Sequence, residues 1–502
     1  MQYVSHPWIN DNVIEKRDYQ ERIVNTALSG NTLVVLPTGL GKTSIAALVA
    51  AEVLRKNPDR KILFMAPTRP LVSQHKKNFE RFFKLGIEFA AITGHDKPED
   101  REVLYKANVI FSTPQTIRND LKSGKIGLSE FSLCIFDEAH RAVGNYAYPY
   151  IAKVYSYHRG LILALTASPG SHRQKIDEIR KRLYIDKIEI RDREDGDVLP
   201  YVQEMKQQWI EVELTKPFMS IKEYMEKCKD TRISKLMSWR IVNYPKISKS
   251  HILKLQEELA KKKTGMGFAA MSMLAQVLKI DHALMLLETQ CLYSLKKYFD
   301  GLVEQREKKS VASLLKDEDF KSAMRLTSEL LNESQEHPKV EKLKEIIHEE
   351  LEKDKFSSII VFAQYRDTIS KINEELKSIK NAAPIEFIGQ AKKRGKGLSQ
   401  KEQIQILNEF KMGFYNILLA TQIGEEGLDI PKVDTVIFYE PVPSAVRRVQ
   451  RMGRTARTKA GKIIMLITKD TRDEAYHWSG FQKEMRMKSL LHKMQSQRDF
   501  RA

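Results

Sequence analysis

Two parts of the chain contain short runs of consecutive apolar residues. The first part, residues 31–167, has six such runs separated by helix-length segments: NTLVVLP, KILFMAP, IEFAAIT, NVIFST, SLCIFDE and LILALTA. Runs that are continuous rather than alternating are typical of strands buried on both faces of a parallel sheet, with crossover helices between them. The pattern predicts a doubly wound α/β domain over residues 1–200.

A second series of apolar runs begins after Pro338 and has the same organisation. Its members are SSIIVFAQ, PIEFIG, NILLAT, DTVIFYE and GKIIMLIT. We therefore predict a second parallel-sheet α/β domain over residues 334–502. The segment 207–214 alternates Ile210, Val212 and Leu214 with polar residues, which indicates a strand that could belong to this second domain.

The stretch between the two series, residues 216–333, predicts an all-α insertion. It has almost no β-branched runs, and Met, Leu, Lys and Glu recur at steps of three and four residues. From Phe268 to Phe299 the apolar positions form one long face, which favours a helical bundle. Two interpretations of its lysines stay open: a solvated face on a bracing bundle, or a thumb-like, basic DNA-binding arm. The lysines concerned are Lys254, Lys261, Lys262, Lys263, Lys296 and Lys297.

Composition narrows the class of partner. In 502 residues, 84 Lys and Arg against 65 Asp and Glu give a formal net charge of +19, which favours a polyanion such as nucleic acid. The three cysteines have no paired spacing, so we expect neither a disulfide framework nor a structural zinc site. Neither a signal peptide nor an uncharged run of about 20 residues is present, so we expect an intracellular protein that does not enter a membrane.

The segment after the first apolar run has the chemistry of a phosphate-binding loop. Pro37, Thr38, Gly39, Leu40, Gly41, Lys42 and Thr43 stand between a predicted strand and a predicted helix. Backbone N–H groups and the helix dipole converge on phosphates in such a turn, with a lysine charge on the β and γ phosphates and a hydroxyl for Mg²⁺. The full pattern has a glycine where this chain has Leu36. ATP and Mg²⁺ are the predicted cofactors.

The second half of such a site is a carboxylate at the end of another buried strand. FSLCIFDEAH places Asp137 and Glu138 there. Asp137 suits the role of holding Mg²⁺, and Glu138 suits that of orienting and polarising the attacking water. Upstream, Gln20 could read an adenine through its amide, and Arg17 or Tyr19 could stack on the ring.

Eight motifs in order extend this interpretation to nearly the whole chain, which resembles the superfamily 2 helicases. The motifs are PTGLGKT, APTRPLVSQ (66–74), STPQTI (112–117), DEAH (137–140), TAS (166–168), VFAQYRDT (361–368), ATQIGEEGLDIP (420–431) and QRMGRTAR (450–457). The resemblance implies two RecA-like domains that enclose ATP, with nucleic acid running across both.

The resemblance also implies site residues in the second domain. Gln450 would lie near the γ-phosphate, and Arg454 and Arg457 would act as arginine fingers across the cleft. Gly427 would permit close backbone approach, and Asp429 would hold the ATP ribose or an arginine finger.

Other motif positions correspond to nucleic-acid contacts and to coupling. Polar groups at strand ends would hold the phosphate backbone without reading bases. These groups are Pro67, Thr68, Arg69, Thr113, Pro114, Gln115, Gln364 and Thr421. Thr113 and Pro114 could alternatively only begin a helix. The hydroxyls of Thr166 and Ser168 resemble the relay that links ATP state to domain closure.

In its helical insertion and its DEAH motif, the chain resembles the archaeal Hef helicase and the Fanconi anaemia group M translocase. That branch implies an ATP-dependent helicase on forked or branched DNA in replication-fork repair, with a nuclease domain or repair partner. The nuclease pattern GDxxxERKxxxD is absent before Ala502, so we expect a helicase portion or a homologue without nuclease. Double-stranded-RNA sensors and the Dicer helicase region share the layout, so an RNA-activated ATPase stays open, as does a catalytically dead scaffold.

Overall fold

The structure, a computed structural model, describes residues 2–170, 173–202, 205–262, 264–389, 397–421, 431, 433–441 and 461–499. It has two parallel-sheet domains with a helical insertion between them, which confirms the predicted fold class.

The first sheet contains seven parallel strands in the order β3-β4-β2-β5-β6-β1-β7. Six of them are the predicted apolar runs. The strands are β1 (Thr32–Val35), β2 (Lys61–Met65), β3 (Phe89–Ile92), β4 (Val109–Ser112), β5 (Phe131–Phe136), β6 (Leu161–Thr166) and β7 (Lys187–Ile190). The prediction missed β7, an edge strand in which only Ile188 and Ile190 are buried, so its sequence alternates instead of being continuously apolar.

Helices pack on both faces of this sheet. They are α1 (Asp18–Leu28), α2 (Lys42–Lys56), α3 (Arg69–Phe82), α4 (Pro98–Leu104), α5 (Pro114–Lys122), α6 (Ala147–Tyr155) and α7 (Arg173–Arg182). One hydrophobic cluster lies between the sheet and α1 to α3, and a second lies between the opposite face and α5 to α7.

Among the described residues, the second sheet has six parallel strands in the order β10-β11-β9-β12-β13-β8. They are β8 (Met205–Val212), β9 (Ile359–Phe362), β10 (Pro384–Phe387), β11 (Ile417–Ala420), β12 (Thr435–Phe438) and β13 (Gly461–Thr468). Strand β8 precedes the insertion in sequence yet pairs along its whole length with β13, from Met205 beside Gly461 to Val212 beside Thr468. The described helices of this domain are α14 (Pro338–Lys353), α15 (Arg366–Leu376), α16 (Gln400–Met412) and α17 (Arg472–Asp499).

The described part of the insertion contains six helices. They are α8 (Lys216–Ser238), α9 (Lys249–Lys262), α10 (Gly265–Thr289), α11 (Leu292–Val303), α12 (Lys309–Leu314) and α13 (Glu318–Asn332). The predicted apolar face from Phe268 to Phe299 is divided between α10 and α11. Leu274, Leu292 and Leu295 are buried on it, whereas Phe268 is exposed.

Within the described part of the chain, α10 is the one helix whose length and composition would suit a membrane span. Half of its apolar window is buried inside the protein, as happens in the core helix of a bundle. Its Asp281 also receives two hydrogen bonds from the guanidinium of Arg472, at 2.8 and 3.2 Å.

Helix α17 connects the second domain to the first. It begins at Arg472, which pairs with the insertion, and its later residues Met487 and Leu490 pack into the core of the first domain. Lys488 Nζ also lies 2.9 Å from a carboxylate oxygen of Glu194, in the loop after β7. One helix therefore contacts all three parts of the fold.

Candidate nucleotide and nucleic-acid site

The candidate residues of the first domain lie along one edge of its sheet. Since all seven strands are parallel, their carboxyl ends share this edge, and strand order fixes the order of the loops. Loop 113–115 follows β4, and loop 67–69 follows β2. Then come 137–138 after β5, 166–168 after β6 and 36–43 after β1. The nucleic-acid candidates thus adjoin the ATP candidates, and the boundary falls between β2 and β5.

The phosphate loop has a backbone that requires glycine. Gly39 and Gly41 have φ angles of +88° and +86°, in the left-handed region that disfavours other L-residues. A Cβ on Gly41 would lie 2.3 Å from Gln20 Nε2, so the space beside it is already filled. Gly41 immediately precedes α2, so the loop lies at a helix N-terminus, where the first backbone N–H groups make no intrahelical hydrogen bonds. This concave turn at a helix N-terminus fits a triphosphate.

Two side chains of α1 hold the loop through one carbonyl. Tyr19 Oη donates to Leu40 O at 2.8 Å, and Gln20 Nε2 donates to the same oxygen at 3.1 Å. Because the ring of Tyr19 is completely buried, the expectation that it could stack on adenine is wrong. The Arg17 guanidinium lies 5.4 Å above the ring of Tyr201 and stays partly exposed beside the loop.

Two cationic side chains donate hydrogen bonds to backbone carbonyls of the phosphate loop. Lys42 Nζ donates to Leu36 O at 2.9 Å, and Arg193 Nη2 donates to Thr38 O at 3.1 Å. Burial lowers the pKa of Arg193, a residue that no motif identified. Pro37 and Thr43 flank these contacts and are partly buried.

Asp137 is buried at the end of β5 and makes its side-chain contact to the neighbouring helix α3. Its Oδ2 lies 3.0 Å from His75 Nε2, and its backbone carbonyl accepts a hydrogen bond of 2.6 Å from Tyr148 Oη. Burial alone would raise the pKa of Asp137, but the hydrogen bond from His75 and the charge of Lys42 hold that pKa below its ordinary value. Asp137 is therefore an anion facing the phosphate loop.

Magnesium suits this arrangement. Proteins usually bind Mg²⁺·ATP with one or two oxygen ligands and leave the rest of the coordination to phosphates and water. Asp137 at the end of β5 and Thr43 in the first turn of α2 can supply such oxygen ligands. In the described ranges no cluster of three or more His, Cys, Asp or Glu side chains could form a metal cage of its own. The three cysteines are buried free thiols at separate positions.

Glu138 is connected to the coupling motif through His140. Glu138 has a φ of +50°, which turns the chain sharply after β5. His140 Nδ1 lies 3.2 Å from Glu138 Oε2 and 3.2 Å from Thr166 Oγ1. Ser168 Oγ donates to Met487 Sδ of α17 at 2.8 Å. The two hydroxyls predicted for coupling thus contact His140, which lies beside Glu138, and helix α17.

The nucleic-acid candidates of the first domain combine exposed and unsatisfied polar groups. Arg69 and Gln115 are exposed, and Pro67 and Thr68 are partly so. Thr68 Oγ1 is buried and has no hydrogen-bond partner in the described structure. Such a hydroxyl is costly unless a ligand atom satisfies it.

Helix capping is the alternative role for the motif that begins α5. Thr113 occupies the N-cap position and Pro114 follows at the first helical position, as that alternative predicts. The hydroxyl of Thr113 does not cap the helix, however. It lies 2.8 Å from Thr116 Oγ1.

In the second domain, two candidates are described. Gln364 is exposed after β9 and lines a groove of about 720 Å³ between α10, α11 and the start of α15, together with Lys297 and Arg366. Thr421 follows β11, and its Oγ1 is buried without a partner among described residues. Five predicted residues lie outside the described residues: Gln450, Arg454, Arg457, Gly427 and Asp429.

The candidate lysines of the insertion differ in whether a carboxylate neutralises their charge. Lys296 pairs with Asp300, and Lys297 Nζ lies 2.7 Å from a carboxylate oxygen of Asp367, so neither contributes an uncompensated charge. Lys261 is exposed near the end of α9, which closes at Lys262. Lys263 lies outside the described residues.

Known families match all three parts of the chain. Residues 17–176 match "DEAD/DEAH box helicase", and residues 338–459 match "Helicase conserved C-terminal domain". Residues 218–337 match "Putative ATP-dependent RNA helicase, helical bundle".

Similar proteins span the whole arrangement. The crystal structure of the Pyrococcus furiosus Hef helicase domain is 42% identical with a TM-score of 0.74, covering 94% of this chain and 99% of that chain. A Methanocaldococcus jannaschii protein named "Putative ATP-dependent RNA helicase MJ1505" is 40% identical over 98% of this chain and 63% of its own length. The mouse Fanconi anemia group M protein homolog is 32% identical over 96% of this chain and 26% of its own length.

This chain therefore spans less than two thirds of the length of the Methanocaldococcus relative and about a quarter of the length of the mouse relative. The match to the Hef helicase domain, in contrast, is nearly complete in both directions. With both helicase domains and the helical bundle in the same order, the chain belongs to the DEAD/DEAH-box helicases, in the branch that contains Hef and the Fanconi anaemia group M proteins.

Proposed function

We propose that this chain is an ATP-dependent DNA helicase or translocase that acts on forked or branched DNA in replication-fork repair. The observation that carries the proposal is the single sheet edge on which a glycine-dependent phosphate loop, a buried carboxylate and unsatisfied strand-end hydroxyls follow one another. A site of this kind can bind ATP and a phosphate backbone side by side. Its two ligands can therefore influence each other through shared elements.

In this proposal, different residues of the first domain bind the phosphates, coordinate Mg²⁺ and activate the attacking water. The loop from Pro37 to Thr43 holds the phosphates, with Arg17 and Gln20 beside the nucleotide. Lys42 leaves Leu36 O to meet the β and γ phosphates. Bound Mg²⁺ would neutralise phosphate charge, and Asp137 and Thr43 would be its protein ligands. Glu138, whose buried Oε2 lies 3.2 Å from His140 Nδ1 without a hydrogen bond among described residues, would polarise the attacking water.

The second domain completes the site when the domains close. We propose that Gln450, Arg454 and Arg457 contact the γ-phosphate region from across the cleft, and that Asp429 and Gly427 lie against the nucleotide. Arginine neutralises charge that develops during phosphoryl transfer. Hydrolysis would then require closure, which DNA bound along both domains favours.

DNA would lie on the strand-end loops of both domains. Thr68 and Thr421 are the strongest candidates, because each has a buried hydroxyl oxygen without a described partner that a phosphate oxygen would satisfy. Arg69, Gln115 and Gln364 are exposed at the same edges. Contacts of this kind hold the backbone without reading bases, as translocation requires.

We propose further that three units act together: residues 1–200 bind ATP, residues 334–502 with β8 close over it, and residues 216–333 engage a second duplex. With Lys296 and Lys297 paired, the other candidate lysines of the insertion are Lys254, which is exposed, and the run Lys261, Lys262 and Lys263. Glu257 and Glu258 lie one helical turn from Lys261, so the local field is modest. A bracing bundle is the alternative.

Reversal of charge at Lys261 to Lys263 tests the insertion without removing it. Deletion would leave the mostly buried Arg472 of the second domain without Asp281 and Glu288, its carboxylate partners in the insertion. Fork affinity and its salt dependence should fall more than linear-duplex affinity. An equal fall for both substrates would make the insertion a general electrostatic contributor.

An RNA-activated ATPase is the second candidate, since the helical-bundle family and the Methanocaldococcus relative carry RNA helicase in their names. ATP hydrolysis should be compared with forked DNA, linear duplex DNA and double-stranded RNA at equal nucleotide concentration. The proposal predicts the largest stimulation with forked DNA. Stimulation by double-stranded RNA alone would overturn it.

A further inference from the structure

His75 is a buried, polar residue next to the site that the nucleotide chemistry above does not use. It lies on α3, one residue beyond the helicase motif 66–74, and its Nε2 is 3.0 Å from Asp137 Oδ2. His75 and Asp137 side chains are only 9% and 8% exposed, so little water can compete for this contact. The hydrogen bond joins helix α3, which follows the nucleic-acid candidates, to Asp137 at the end of β5, on the nucleotide side of the site.

Packing alone does not explain a histidine at this position. Its ring lies 4.4 Å from the ring of Phe64, centroid to centroid, in an aromatic cluster with Phe79 and Phe111. The second ring nitrogen, Nδ1, is buried without a hydrogen-bond partner in the described structure. An apolar side chain would fill the space without that unmade hydrogen bond. The contact from Nε2 to Asp137 is therefore the one interaction of this ring that an apolar side chain could not make.

Helix α3 begins at the proposed nucleic-acid contacts. Thr68 is its N-cap and Arg69 its first residue, and the hydroxyl of Thr68 caps nothing within the helix. His75 follows Arg69 by six residues, about 9 Å along the helix axis. A shift or rotation of α3 on binding a phosphate backbone would therefore move the atom that orients Asp137.

We propose that His75 is a positioning residue that orients Asp137 for Mg²⁺·ATP and transmits nucleic-acid binding from the start of α3 to that carboxylate. This inference rests on the proposed function for the identity of both ligands. His75 donates its Nε2 hydrogen to Oδ2, so Oδ1 would be the oxygen that meets Mg²⁺. Second-sphere donors of this kind fix the direction of a ligand's lone pairs.

Three variants of the full chain separate orientation from packing. His75→Leu removes the donor but keeps an apolar filler. His75→Gln keeps an N–H donor at a similar reach. Phe79→Leu is the matched control, because Phe79 is buried one turn further along α3 and also packs on Phe64, at 5.6 Å between ring centroids.

The readout is the affinity of a fluorescent ATP analogue, measured with Mg²⁺ and with EDTA. We expect His75→Leu to reduce the Mg²⁺-dependent gain in affinity by about 10-fold or more, while affinity in EDTA is unchanged. His75→Gln should recover most of the gain, and Phe79→Leu should keep it. An unchanged gain in His75→Leu, or an equal loss in Phe79→Leu, would overturn the proposal.

Stimulation of ATP hydrolysis by forked DNA tests the transmission step. In His75→Leu the stimulation ratio should fall toward one at saturating Mg²⁺, with fork affinity measured by anisotropy unchanged. A wild-type ratio in that variant would overturn the coupling. If the wild-type chain itself responds to no DNA, the proposed function fails, whereas the Mg²⁺ measurement still decides the role of His75.

Discussion

Gly41→Ala should specifically weaken ATP binding, because two features of the phosphate loop oppose a side chain there. The backbone at Gly41 has φ +86° and ψ 35°, in the left-handed region. A methyl group would also lie 2.3 Å from Gln20 Nε2, whose hydrogen bond to Leu40 O would have to break.

The size of the effect follows from these two contributions. Left-handed backbone costs an L-residue roughly 1–2 kcal/mol. Loss of a typical intramolecular hydrogen bond costs about 0.5–1.5 kcal/mol. Together they amount to about 2–3 kcal/mol, or roughly 30- to 150-fold in affinity, if the variant loop must regain its present shape to bind phosphates.

The assay is titration of a fluorescent ATP analogue on Gly41→Ala, Gln20→Ala and the double variant. Shortening Gln20 removes the clash, so the glycine substitution should cost about 1 kcal/mol less in that background. Gly413→Ala is the control, since Gly413 has a φ of +84° with open space around it and caps α16 far from the loop. The reasoning is refuted if ATP affinity is unchanged in Gly41→Ala, or if Gly413→Ala weakens it equally.

Three further outcomes are expected. Lys42→Ala should abolish phosphate release from ATP while DNA affinity by anisotropy persists, and wild-type turnover would contradict its assignment. Met487→Ala should weaken docking of α17 on the first domain by about 2–5 kcal/mol, seen as faster amide exchange in that helix; unchanged exchange would contradict the packing. Burial lowers the pKa of His337 to about 3, so between pH 6.5 and 3 the unfolded chain binds a proton that the folded chain does not. The free energy of unfolding should therefore decrease as the pH is lowered, by about 2 kcal/mol at pH 5. Urea denaturation should show this loss for the wild type but not for His337→Asn, and equal losses in both proteins would refute the reasoning.

The fold was largely predictable because buried parallel strands must be continuously apolar. Eleven apolar runs correspond to eleven described strands. Strand β7 was missed, and the assignment of β8 to the second domain was left undecided. Both are edge strands with one solvated face. The pairing of β8 with β13 joins segments about 250 residues apart, which local pattern cannot reveal.

Site residues were predictable where a loop must take a special backbone or carry charge at a strand end. Gly41 and Asp137 are of this kind. His75, Arg193 and Met487 were not predicted, because each acquires its contact only when distant elements pack together. His75 directly follows a recognised motif, and that adjacency was the one available signal. The pairing of Lys297 could not be predicted from the sequence, because its partner Asp367 is 70 residues away.

The central claim is that ATP hydrolysis drives movement on branched DNA, and strand displacement tests it most directly. A fluorescently labelled three-way fork should be incubated with wild-type protein or Lys42→Ala, with ATP or a non-hydrolysable analogue, and followed in real time. The account predicts displacement only with wild-type protein and ATP, faster on the fork than on a linear duplex of the same sequence. Displacement without hydrolysis, or rapid hydrolysis on the fork with no strand movement, would contradict it.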